Sequence, residues 1–151
     1  MCSSDLIVRN ILSKICPNNT KLNFKHINIE KKEFARINRI IIQACGTSWH
    51  AGLIGKTLLE TFSKTLTEVD ISSEFRYRQM ISQGNEMVVA MSQSGETADT
   101  LAGIREAKSK FFPVLSFVNV KKSTMDRESD GVIYTHAGQE VDRKSTRLNS
   151  S

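Results

Sequence analysis

Six consecutive residues, Ser92-Gln93-Ser94-Gly95-Glu96-Thr97, concentrate hydroxyls, a carboxamide and a glycine in one short stretch. Ser92, Gln93, Ser94 and Thr97 can donate hydrogen bonds to phosphate oxygens, and Gly95 lets the backbone come close. The same residue types also build ordinary strand-to-helix turns. A second polar group, Gly46-Thr47-Ser48, offers two more hydroxyls, although Ser48 serves equally well as a helix cap. Cys45 has no metal partner in sequence, and a nucleophilic thiolate needs a base or an electropositive setting. It reads as a structural cysteine. His50 and His136 are of the acid–base type but isolated, and read as surface or packing residues.

The elements that must position these groups follow from hydrophobic pattern. Arg39 to Ala44 is β-branched and apolar on both faces, which suits a parallel strand covered by helices. Trp49 to Ser63 has helical spacing through Leu53, Ile54, Leu58 and Phe62, with Ser48 as its cap. Leu66 to Ile71 reads as a second strand and Ser73 to Met80 as a short helix. Glu86 to Met91 reads as strand three, and Thr97 to Phe111 as a helix with Leu101, Ile104 and Ala107 on one side. Pro113 to Val118 is strand four, Ser123 to Ser129 a short helix capped by Ser123, and Gly131 to Thr135 strand five. Strands alternating with helices predict a doubly wound five-strand parallel sheet, class α/β, and the flavodoxin-like order 2-1-3-4-5 is the arrangement taken for it. In that order strands one and three are neighbours whose helices leave on opposite faces. Both polar loops then meet at the crevice where such sheets bind ligands.

Before Arg39 the pattern is weaker. Leu6, Ile7, Ile11, Leu12 and Ile15 match one helix face, and Asn23 to Arg36 reads as a linker or edge segment. The net charge of +5 resolves into +4 over residues 1–38, −1 over residues 39–141 and +2 over residues 142–151. The basic excess sits at the ends, which argues against a nucleic-acid face on the core. No apolar run approaches the roughly 20 residues that span a bilayer, so no membrane partner is expected. The three cysteines, Cys2, Cys16 and Cys45, have neither metal spacing nor a disulfide framework, and read as cytoplasmic thiols. Glu74, Arg76 and Arg78, with Phe75 and Tyr77, form a charged and aromatic cluster suited to a solvated face or a subunit contact.

Three blocks then carry a resemblance: Ala44-Cys45-Gly46-Thr47-Ser48, Ser73-Glu74-Phe75-Arg76-Tyr77-Arg78, and Ser92 to Leu101. In this order and spacing they resemble the first sugar isomerase (SIS) domain of the glutamine–fructose-6-phosphate aminotransferase family. Arg105-Glu106-Ala107-Lys108, Asn119-Val120 and Thr135-His136-Ala137-Gly138 extend the likeness. The resemblance implies a fructose 6-phosphate site in which Ser92, Gln93, Ser94 and Thr97 hold the phosphate. Thr47 and Ser48 line the sugar, and Gly46 and Gly95 allow close backbone approach. It implies fructose 6-phosphate and glucosamine 6-phosphate as partners, no metal, no dissociable cofactor, and a homodimeric full-length enzyme. The family's glutaminase domain, second SIS domain and C-terminal tail lie outside this sequence, so none of its catalytic residues falls here.

These readings divide the chain into an N-terminal segment at 1–38, an SIS domain at 39–141 and a tail at 142–151. The tail resembles translated adaptor or vector sequence, and it and residues 1–6 are read as non-native. Two other functions fit the same loops. One is a phosphosugar-sensing module of a regulator, which would carry a helix-turn-helix segment. The other is a stand-alone phosphosugar isomerase, which would need an acid–base pair at the crevice drawn from His50, Glu96 and His136.

Overall fold

The computed structural model describes residues 26–79, 81–82 and 84–137. The helix pattern of Leu6 to Ile15 and the tail at 142–151 lie outside the described residues. In chain order the elements are α1 (Lys31–Phe34), β1 (Arg39–Ala44), α2 (Gly46–Phe62), β2 (Leu66–Ile71), α3 (Ser72–Phe75), β3 (Glu86–Ser92), α4 (Ala98–Ser109), β4 (Val114–Val118), α5 (Thr124–Glu128) and β5 (Gly131–Tyr134). The five strands form one parallel sheet in the order β2-β1-β3-β4-β5. The expected fold class and strand order are those observed.

Apolar residues on both faces of each central strand produce two cores. Ile41, Val88, Ala90, Val114 and Val118 pack with Leu101, Ile104 and Ala107 of α4 on one face. Ile40, Ile42, Met87, Val89 and Leu115 form the other core, with Leu59 of α2 against it. Ile27, Ile29 and Ile37 join this second core. Ile27 also bridges to Gly131, so the stretch just before β1 closes the β5 edge. Of the two readings of that stretch, linker or edge, the edge one fits His26 to Asn28, which pair with Asp130 to Val132 before α1 begins.

Two helices differ from their expected form. α2 begins at Gly46, with Cys45 rather than Ser48 in the cap position. Its apolar stripe faces outward: Leu53, Ile54, Leu58 and Phe62 are exposed by 39%, 66%, 51% and 81%. The buried side is the glycine side instead. A Cβ at Gly52 would lie 3.1 Å from Ile42 and 3.2 Å from Val69, so the missing side chain lets α2 sit low on β1 and β2. α3 stops at Phe75 instead of reaching Met80. Phe75 is fully buried in the core, and Arg78 turns back to pair with Glu68 and Asp70 of β2 at 2.7 and 2.6 Å. Those pairs hold the chain along the sheet edge in place of further helix.

α5 starts as expected, with the Ser123 side chain accepting the Asp126 N–H. Tyr134 donates its hydroxyl to Asp126 at 2.7 Å, tying β5 to α5. Burial, reinforced by the Asp126 carboxylate, pushes the Tyr134 phenol up to about 12.

Candidate functional site

β3 ends at Ser92 and α4 begins at Ala98, so the stretch from Gln93 to Thr97 is a loop at the carboxyl edge of the sheet. β1 lies beside β3 and ends in the Cys45-Gly46 turn into α2. Between them sits a cavity of about 150 Å³ lined by Cys45, Ser48, Met91, Ser92, Gln93, Ser94 and Thr97. Five of the eight residues singled out from sequence thus come together here. Thr47 and Gly46, both exposed, are not part of this lining, and neither is Gly95.

The loop's internal hydrogen bonds use its serine hydroxyls as acceptors for main-chain donors. Ser92 Oγ accepts the Gly95 N–H at 3.1 Å, and Ser94 Oγ accepts the Glu96 N–H at 3.3 Å. Each serine satisfies a main-chain donor as an acceptor, which keeps its own proton for another partner. Ser92 and Thr97 hydroxyls lie 3.0 Å apart and share one bond. Thr97 occupies the cap position of α4 without a side-chain cap bond. The first-turn N–H groups of this 12-residue helix are therefore not covered by the Thr97 side chain. Hydroxyl donors beside a helix N-terminus stabilise an anion.

Gly95 has a different neighbour from the one expected of it. Its φ is +70°, and a Cβ there would lie 2.3 Å from Ser123 Oγ and 2.6 Å from Ser123 Cβ. The close approach is between the loop and the start of α5. Gly95 O also accepts the Met125 N–H at 3.1 Å. Glu96 turns away from the cavity to accept the Thr124 N–H at 2.7 Å. That main-chain bond, with the Thr124 hydroxyl, holds the Glu96 carboxyl below the usual range. The loop is clamped from behind by α5.

Beneath the cavity, buried polar groups link the elements. Ser72 and Thr100 hydroxyls lie 3.1 Å apart, and the Thr100 hydroxyl reaches Cys45 Sγ at 3.9 Å. The Gln43 Nε2 donates to Thr100 O at 3.3 Å. The first turn of α4 is thereby fastened to β1 and α3.

A family model described as the SIS domain matches residues 33–150. This chain belongs to the SIS domain family. It is 45% identical over 130 residues to glutamine–fructose-6-phosphate aminotransferase [isomerizing] of Caldanaerobacter subterraneus subsp. tengcongensis, covering 86% of this chain and 21% of that protein. The Chlorobaculum tepidum protein of the same name is 55% identical over 109 residues, covering 72% and 18%. The chain thus spans about a fifth of the length of these relatives. Among solved structures, the C-terminal domain of glucosamine-fructose-6-phosphate aminotransferase from Francisella tularensis superposes with a TM-score of 0.75 at 34% identity, covering 91% of this chain and 38% of that one. The Vibrio vulnificus NanR protein, solved with ManNAc-6P, has a TM-score of 0.59 at 17% identity over 87% of this chain and 50% of its own, and shares the fold alone.

Within this SIS domain, two lining residues were not assigned to the site from sequence. Cys45 follows β1 and Met91 is the next-to-last residue of β3, and nothing local distinguishes a strand end that faces core from one that faces a crevice. His50 is exposed on α2, its ring against Trp49 with centroids 5.1 Å apart. His136 follows β5, its ring 6.0 Å from that of Tyr134. Neither lines the cavity.

Proposed function

We propose that this chain is the sugar-phosphate-binding part of the isomerase half of a glutamine–fructose-6-phosphate aminotransferase. In that assignment fructose 6-phosphate is the substrate and glucosamine 6-phosphate the product. Ser92, Ser94 and Thr97 donate to the phosphate through their hydroxyls, Gln93 through its carboxamide, and Ser48 faces the sugar. The observation that carries the reading is the meeting of the hydroxyl-rich β3–α4 loop with Ser48 of the first turn of α2 at one cavity beside the adjacent strands β1 and β3. Identities of 45% and 55% to aminotransferases support the choice of substrate.

The cavity of about 150 Å³ is below the roughly 300 Å³ at which ligand pockets usually start. It suits the phosphate end of a hexose phosphate. The remaining walls belong, on this reading, to the rest of the parent enzyme, a cytoplasmic homodimer. The half-buried free thiol of Cys45 fits a reducing compartment.

Titrating the chain with fructose 6-phosphate tests the proposal by amide-resolved NMR. The Ser92 to Thr97 amides are expected to move, and those of the β4–β5 core are not. A folded sample whose loop amides stay still defeats it.

A stand-alone isomerase is disfavoured by the places of Glu96, His50 and His136, none of which lines the cavity. Glu96 is committed to Thr124, and His50 lies exposed on α2 against Trp49. Neither reaches the cavity as half of an acid–base pair.

A further inference from the structure

Asn119 does not line the cavity, yet it is joined to it. It stands one residue beyond β4. Ser92 pairs with Val118, and Val118 with Tyr134, so Gln93, Asn119 and Thr135 form the next rung across the top of the sheet. The Asn119 N–H donates to Gln93 O at 3.1 Å, and the Thr135 N–H to Val118 O at 2.9 Å. The carboxamide then clasps the chain leaving β5. Asn119 Oδ1 accepts the Thr135 hydroxyl at 3.1 Å and the Ala137 N–H at 2.7 Å. His136 between them has φ +49°, which bends the chain back so that the Ala137 N–H reaches the carboxamide.

We propose that Asn119 is a positioning residue for the phosphate loop. It pins the Gln93 peptide through its main chain and ties that peptide to the Thr135–Ala137 turn through its side chain. The ligand in this statement rests on the reading above; the mechanical coupling does not. The Gln93 carbonyl belongs to the peptide entering Ser94, and the bond from Asn119 restrains the rotation of that peptide before any ligand arrives. Preorganisation of that kind raises affinity by lowering the ordering cost of binding. The coupling also joins the Thr135–Ala137 turn to Gln93 through Asn119, so that loosening one is felt at the other.

The test uses the whole 151-residue chain, with Asn119→Ala, Thr135→Val and Thr135→Ser. Amide-resolved NMR is recorded without ligand and then with inorganic phosphate and with fructose 6-phosphate. In ligand-free Asn119→Ala the Gln93 to Gly95 amides should move and lose exchange protection together with Ala137. Losing the clasp should weaken binding of both probes by about three- to tenfold, the worth of one net hydrogen bond. Thr135→Val should shift affinity in the same direction, and Thr135→Ser, which keeps the hydroxyl, should restore it at an unchanged melting temperature. Loop amides that keep their wild-type positions in Asn119→Ala overturn the proposal. So does equal affinity in Thr135→Val and Thr135→Ser. If the wild type binds neither probe, the phosphate reading fails, while the ligand-free comparison still decides the role of Asn119. Should Asn119→Ala not fold, the two Thr135 variants carry the same comparison.

Discussion

Gly95 and Phe111 are both left-handed, and the two residues are suited to it in opposite degrees. At Gly95 a side chain meets two obstacles, a φ of +70° and the wall of Ser123. Ala in the left-handed region costs about 1–2 kcal/mol, and forcing a methyl against Ser123 adds about 1–3 kcal/mol. Gly95→Ala is therefore expected to lose about 2–4 kcal/mol in urea unfolding and to weaken phosphate binding. Adding Ser123→Gly removes the wall but not the φ, so the double variant should recover only part of the loss. Full recovery would show that backbone strain contributes nothing at Gly95.

Phe111 closes α4. The Phe112 N–H bonds to Ala107 O at 3.1 Å and the Phe111 N–H to Lys108 O at 3.0 Å, the Schellman arrangement. The residue at the left-handed position of that motif is usually glycine, but here it is a phenylalanine with φ +62° and 94% exposed. No buried contact is lost by removing it. Phe111→Gly should stabilise the chain by about 0.5–1 kcal/mol, the relief of left-handed strain outweighing the added freedom of the unfolded state. A higher urea midpoint at unchanged slope is the expected readout. An unchanged or lower midpoint would count against it.

At the level of elements, the ion pairs on β2 explain how an edge strand is kept from pairing further. Glu68 and Asp70 face Arg78, and Glu68 also meets Arg39 at 2.7 Å. Charged side chains along an edge discourage a second strand from adding to it. Burial pushes the Glu68 carboxyl up, but hydrogen bonds from Arg78 and Arg39 outweigh it and hold the group below its ordinary 4.5. A carboxyl lowered in the folded state stabilises fully above its unfolded value, and that stabilisation is lost as pH falls through the folded one. The pair should therefore weaken as pH drops below 4.5. Arg78→Met keeps the stem and removes the charge. It should cost about 0.5–1 kcal/mol at neutral pH and low salt, and its stability curve should converge on that of the wild type in acid. Parallel curves down to the acid limit would refute this account.

The same scale shows how the candidate site is held. α4 presents its N-terminus, β1 supplies Cys45 and the turn to Ser48, and α5 clamps the loop through Glu96, Gly95 and Ser123. The clamp works through a glycine, a serine side chain, a carboxylate and main-chain groups rather than through apolar side chains, which is why the hydrophobic pattern left it unmarked.

For the molecule as a whole, the lining of the cavity limits its chemistry. Hydroxyls, a carboxamide, a thiol and a thioether surround it, with no carboxylate, imidazole or amine among them. Such a set can donate hydrogen bonds to an anion but supplies no acid–base pair for moving a sugar's protons. Incubated with glutamine and fructose 6-phosphate, the isolated chain is expected to form no glucosamine 6-phosphate. Turnover in a homogeneous preparation would sink the assignment of this chain as a binding part only. The outward stripe of Ile54, Leu58 and Phe62 on α2 belongs to this scale too. A helical period of apolar residues states only that one face prefers to leave water. Within the chain, the low seat on the sheet went to Gly52, where a Cβ would come within 3.1 Å of Ile42 and 3.2 Å of Val69.

The sequence by itself determined the alternation of strands and helices, hence a doubly wound parallel sheet, and the place of Ser92, Gln93, Ser94 and Thr97 at a strand end. Those properties follow from local periodicity and turn chemistry, which a few neighbouring residues fix, whereas the order 2-1-3-4-5 is one of two common arrangements that such an alternation allows. Only the tertiary structure decided that Gly95 yields to Ser123, that Glu96 serves Thr124, that Cys45 and Met91 face the crevice, and that Asn119 links Gln93 to Ala137. Each of these joins residues separated by dozens of positions or depends on which side of a strand end meets open space. No local pattern encodes such contacts, because they exist only once the sheet has brought its carboxyl edge together.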